Sequence, residues 1–137
     1  MNSFKQFFIG LCAFLLLFST GCKKPPGPGG KAKVKGKIFV RDFDKYAINK
    51  LSEYYGSGES VFICYGDNSR VGNSVKSSTD GSFAFLYLNK GHYLVFANSR
   101  DTCIHLNGSN KTLPVIMEFD ITGMNETVDL GDLTINK

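Results

Sequence analysis

The chain has 137 residues, 42% of them hydrophobic and 13% aromatic, which is room for one domain with a core and too apolar for a disordered tail. Its formal charge of +4 comes from 16 Lys and Arg against 12 Asp and Glu. The surplus is not spread over the chain but gathered near its start, which argues against a nucleic-acid footprint on a folded face.

Met1–Gln6 carries one positive charge, Lys5, and no acid. Phe7–Phe18 is apolar apart from Gly10, and Ser19-Thr20-Gly21-Cys22 brings small residues before a cysteine. These are the n-region, h-region and cleavage site of an export signal over residues 1–21. The apolar run is about 12 residues, whereas a membrane-spanning helix needs about 20. Gly21-Cys22 resembles the lipobox of bacterial lipoproteins, with Ser19 standing where that family usually has Leu. The resemblance implies acylation of Cys22 and anchoring in a lipid bilayer of the bacterial cell envelope, with the outer membrane as the expected location. Two or three acyl chains anchor stably, whereas one is marginal.

Residues 22–32 read as a linker. Pro25-Pro26-Gly27-Pro28-Gly29-Gly30 cannot hold a helix or an interior strand and suggests an extended spacer. Lys23, Lys24, Lys31, Lys33, Lys35, Lys37 and Arg41 are basic with no acid among them, whereas residues 42–137 carry more acids than bases. The chain therefore reads as an acidic body on a basic stalk that is attracted to anionic headgroups, with the folded domain expected over residues 33–137.

Within that domain, Lys33–Arg41 alternates with Val34, Gly36, Ile38 and Val40 inward and Lys33, Lys35, Lys37, Phe39 and Arg41 outward. Tyr46–Tyr55 has Ile48, Leu51 and Tyr55 at helical spacing, giving a turn or two of helix or an ordered loop. Strands follow at Ser60–Tyr65, Val71–Ser77, Ser82–Leu88, His92–Ala97, Thr112–Ile121 and Glu126–Ile135. The last changes phase at Gly131, which suggests a bulge. Gly66-Asp67-Asn68, Asp80-Gly81, Asn89-Lys90-Gly91, Gly108 and Gly123 separate them as turns. The expected fold is all-β, a seven-stranded antiparallel sandwich of two sheets, with Phe83, Phe85, Tyr87, Tyr93, Val95, Val115, Met117 and Phe119 in the core.

Thr79-Asp80-Gly81-Ser82-Phe83-Ala84-Phe85, followed by Leu88-Asn89-Lys90-Gly91-His92-Tyr93-Leu94-Val95, resembles the transthyretin-like (prealbumin-like), or carboxypeptidase regulatory-like, β-sandwich. Val34–Ile38, Glu59–Ile63 and Val128–Leu133 look like that family's opening, second and closing strands. The resemblance spans roughly residues 33–135 and implies a scaffold for carrying, presenting or binding. The family also holds a purine-pathway hydrolase with a C-terminal Tyr-Arg-Gly-Ser. This chain ends Leu133-Thr134-Ile135-Asn136-Lys137, so that activity is not expected.

Few residues suggest chemistry. His92 enters a strand as a rim residue, and Cys103 with His105 falls short of the three or four ligands of a zinc site. Asp42, Asp44, Asp67, Asp80 and Asp101 read as turn formers rather than a calcium loop, and no serine sits in G-x-S-x-G. No cofactor, metal or catalytic residue is expected. With Cys12 removed and Cys22 acylated, Cys64 and Cys103 are the two remaining thiols. In an oxidising compartment they can bridge; the alternative is two free thiols, with Cys64 a small hydrophobe on the Phe62 face. The expected function is non-enzymatic binding or scaffolding of a glycan, peptide or envelope protein. The alternatives are a subunit of a larger envelope or fimbria-like assembly, and a hydrolase of an envelope polymer.

Overall fold

The computed structural model describes residues 24–67, 70–102 and 111–137. Among the described residues eight strands follow one another: β1 (Pro28–Phe43), β2 (Lys50–Tyr55), β3 (Ser60–Tyr65), β4 (Val71–Lys76), β5 (Ser82–Leu88), β6 (Gly91–Arg100), β7 (Thr112–Ile121) and β8 (Thr127–Asn136). They form two four-stranded sheets. One holds β2, β1, β5 and β8; the other runs β4-β3-β6-β7.

β1 is the spine of the first sheet. Its first half pairs with β5 and its second half with β2, both antiparallel, while β8 runs along its other edge. β5 and β2 meet end to end at Ile38, whose N–H donates to the Gly81 carbonyl and whose carbonyl accepts from the Gly56 N–H. Gly81 is obligatory at this junction. Its φ is +78°, and a Cβ there would lie 2.9 Å from the Ile38 oxygen. Asp80 shapes the turn by accepting from the Ser82 N–H at 3.1 Å and the Ser82 hydroxyl at 2.7 Å.

The β1–β8 pairing is parallel, from Lys33 opposite Thr127 to Arg41 opposite Asn136. The expected all-antiparallel arrangement therefore holds for the second sheet but not for the first. The expected bulge at Gly131 is present: Lys35 faces Asp129 and Lys37 faces Asp132, with Gly131 at φ +67°. It returns Leu133 and Ile135 to the inside after Val128 and Leu130.

The core lies between the sheets. Ala32, Val34, Ile38, Val40, Phe83, Phe85, Leu88, Leu133 and Ile135 of the first sheet meet Val61, Ile63, Tyr93, Val95, Ala97 and Ile121 of the second. Val115, Met117 and Phe119 pack against this cluster from the edge strand β7 and are only partly covered. Tyr87 is not in the core; it is 69% exposed, because β5 bulges where Phe85–Leu88 faces Ala32–Val34.

The eighth strand is β2, where helical spacing suggested a turn of helix. Every β2 residue is exposed, so the spacing of Ile48, Leu51 and Tyr55 has no buried face to serve. The free edge of β1 captures the segment instead. The preceding loop closes on Asp44, whose carboxylate accepts from the backbone of Tyr46, Ile48 and Asn49 and from the Asn49 side chain.

The Pro/Gly segment is not a free spacer. β1 already begins at Pro28, which pairs with Leu88; a proline is tolerated at a strand start. Gly27 is buried, and its N–H donates to the Tyr93 hydroxyl at 3.0 Å while that hydroxyl donates to the Asn89 carbonyl at 2.8 Å. The Asn89 amide donates to the carbonyls of Pro25 and Pro28, and the Asn89 N–H to that of Gly27.

Candidate functional site

The outward row of β1 carries Lys33, Lys35, Lys37, Phe39 and Arg41, as the alternation indicates. The parallel register sets Asp129 beside Lys35, Asp132 beside Lys37 and Thr134 beside Phe39. On the other edge, Ser82 lies opposite Lys37 and Tyr55 opposite Phe39. The lysines read as a stalk thus belong to a strand of the domain, and acids of the body face them.

A groove of about 380 Å³ opens here, lined by Lys35, Gly36, Lys37, Ser82, Phe83, Asp129, Gly131 and Asp132. That volume falls in the range of small-ligand sites. Two glycines shape it. At Gly36 a Cβ would meet the Phe83 ring at 2.7 Å, so the missing side chain lets that ring lie beneath the strand as a floor. At Gly131 the bulge separates Asp129 from Asp132 along the wall.

The walls carry charge of both signs. Lys35 Nζ lies 2.9 Å from Asp129, and Lys37 Nζ lies 3.8 Å from Asp80 and 4.7 Å from the Tyr55 ring centre. Tyr55 donates to Asp132 at 3.4 Å and meets the Phe39 ring edge-on. The hydrogen bond from Lys35, aided by the Gly131 N–H, holds the Asp129 carboxyl below its usual range. Hydrogen bonds from the side chain and backbone of Ser82 do the same for Asp80. Ammonium groups, ionised carboxylates and a hydroxyl therefore line one groove beside aromatic rings. Exposed pairs of this kind contribute little to stability, so they are available to a ligand. A polyhydroxylated molecule matches them, since each hydroxyl donates to a carboxylate and accepts from an ammonium. Its C–H faces match the rings.

The other residues singled out in the sequence lie elsewhere. Cys22, Cys103 and His105 lie outside the described residues. Cys64 is a buried free thiol, 3% exposed, on the Phe62 face of β3, and burial pushes its pKa up. His92 pairs with Asp120 at 2.9 Å on the outer face of the second sheet. Asp44 and Asp80 organise separate turns. Among the described residues no three metal-binding side chains come together.

No family model matches the chain, and no curated protein does. Among solved structures, a candidate carbohydrate-binding protein of Pseudomonas aeruginosa superposes with a TM-score of 0.48. The identity is 10%, and the match covers 82% of this chain and 92% of that one.

Sequence reasoning missed the groove as a site. The basic half of its wall was visible as alternating lysines; the acidic half needs the β1–β8 register, which no local pattern announces.

Proposed function

We propose that this chain is an envelope lipoprotein, anchored through Cys22, whose transthyretin-like sandwich binds a glycan without catalysis. The observation that carries the binding reading is the groove over Gly36 and Gly131, where Lys35, Lys37, Asp129, Asp132 and Ser82 stand beside Tyr55. Ser82 donates its hydroxyl to Asp80, and among the described residues no imidazole stands beside it, since His92 belongs to the other sheet. The groove therefore offers recognition groups rather than an activated nucleophile.

Binding to envelope polysaccharides and peptidoglycan fragments, measured by calorimetry on the mature protein, tests this. Asp132→Ala and Lys37→Ala are expected to weaken binding about tenfold each, the effect of about 1.4 kcal/mol of lost hydrogen bonding, with unchanged melting temperature. Variants that bind as well as the parent, or a parent that binds none of these glycans, would overturn the reading.

A second reading, a subunit of a larger envelope assembly, draws on the outer face of the second sheet. Phe62 and Phe96 stack there with centres 5.0 Å apart, beside Leu94 and an exposed Ile116.

A further inference from the structure

We infer that the end of the sandwich where the chain enters docks against the headgroups of an anionic bilayer. The inference rests on the lipid-anchor reading of Cys22 and adds an orientation to it.

The first support is the length of free chain. Gly27 is locked by the Tyr93 hydroxyl and Asn89, and the Asn89 amide holds the Pro25 carbonyl at 3.3 Å. Two peptide links separate Cys22 from Lys24, so the Cα of an acylated Cys22 lies within about 7 Å of the Lys24 Cα. The Pro/Gly segment that would let the domain stand off is consumed by its own packing.

The second support is what that end presents. A cavity of about 850 Å³ opens there, bounded by Lys24 and Lys31 of the entering chain, Leu88 and Lys90 at the β5–β6 turn, and Ile121 and Met124 at the β7–β8 turn. Met124 is 74% exposed, the most exposed of the large apolar side chains among the described residues. Lys24, Lys31 and Lys90 are all exposed around it. Of the nearby acids, Glu126 keeps its charge near Lys90 but is held by backbone groups, and the others are turned aside. Glu126 accepts from the N–H groups of Thr122 and Gly123, and Asp120 pairs with His92 on the outer side of the second sheet, with Asp67 near that imidazole. Ammonium groups around an exposed apolar side chain match phosphates above acyl chains. Attraction to an anionic surface fades over roughly 8 Å at physiological salt; the short tether keeps Lys24 within about that distance of the anchor, and Lys31 and Lys90 line the same cavity as Lys24.

The opposite end provides the internal control. There Arg100 donates to the carbonyls of Asp44 and Lys45, and the Asp101 N–H donates to the Lys111 carbonyl. Lys45 and Lys111 are exposed at that end.

The test is amine footprinting, with a water-soluble acylating reagent, of the mature protein in phosphatidylglycerol vesicles and in phosphatidylcholine vesicles. In phosphatidylglycerol, modification of Lys24, Lys31 and Lys90 is expected to fall at least fivefold relative to Lys45 and Lys111. In phosphatidylcholine the fall is expected to be smaller. Lys90→Glu is expected to return Lys31 toward the far-end level. Intact mass keeps the two readings apart. An acylated protein modified equally at both ends overturns the docking alone, whereas an unacylated Cys22 removes the anchor and the docking with it.

Discussion

Tyr87 stands in a β-strand with a φ of +61°, a conformation that a bulky side chain adopts only under constraint. The constraint is the bulge that turns Phe83, Phe85 and Leu88 inward together, so the ring faces water and gains little from burial. Tyr87→Gly is expected to raise stability by about 1 kcal/mol, read as a higher urea midpoint, because glycine tolerates this φ. A lower midpoint would show that the ring holds the bulge together. Alternation alone placed Tyr87 in the core with Phe83 and Phe85, since a single inserted residue leaves no trace in a two-residue period. At His92, the hydrogen bond to Asp120 lifts the pKa above the ordinary 6.5; burial opposes it, and the charges of Asp120, Glu118 and Asp67 add to it. A folded pKa above the unfolded one contributes stability that is fully present below the unfolded value and is lost as pH rises through the folded one. The His92 imidazole is therefore expected to titrate above 6.5 by NMR and to move down in Asp120→Asn. That variant should be less stable than the parent at pH 5.5 and equal to it at pH 9. A resonance titrating at or below 6.5 in the parent would break the assignment.

Among the elements, strands with one buried face were legible. Ser82–Leu88 appears with its expected limits, and β3, β7 and β8 fall within a residue or two of theirs; β4 does so as well, although only Val75 of it is partly buried, because turn residues mark its two ends. β2 was not legible, because a strand exposed on both faces has no apolar period to read. The start of β1 was hidden for a different reason. Pro28, Gly29 and Gly30 have poor strand propensity, and tertiary partners override it: Leu88 supplies the ladder, and Gly30 is required where any side chain would run into the Leu88 carbonyl. Tyr93 is the main clamp on this segment. Tyr93→Phe leaves the buried Gly27 N–H without its acceptor, an expected loss of roughly 1–3 kcal/mol. Amide exchange should quicken at Gly27, and at Asn89, whose N–H donates to the Gly27 carbonyl. Unchanged exchange at both amides would show that the clamp lies elsewhere.

Across the whole molecule, the two-layer architecture could be read from spacing and turns, whereas the pairing that completes it could not. Lys35 with Asp129 and Lys37 beside Asp132 join positions near opposite ends of the chain, and a parallel ladder leaves no hairpin turn between its strands to reveal it. The groove inherits that invisibility, since one wall is β1 and the other β8. The same pairing governs the order in which the structure can assemble. Contacts so remote in sequence carry the largest loop-closure cost and slow folding. A chain delivered from its N-terminus exposes β1 first; β2 covers the second half of one edge early, but the first half of that edge waits for the Ser82–Leu88 segment and the whole of the other for Thr127–Asn136. Until β8 arrives, the strand that organises the sheet remains an open template for any passing edge. The molecule is thus most vulnerable to mispairing during delivery, and a chaperone that covers β1 would protect it most.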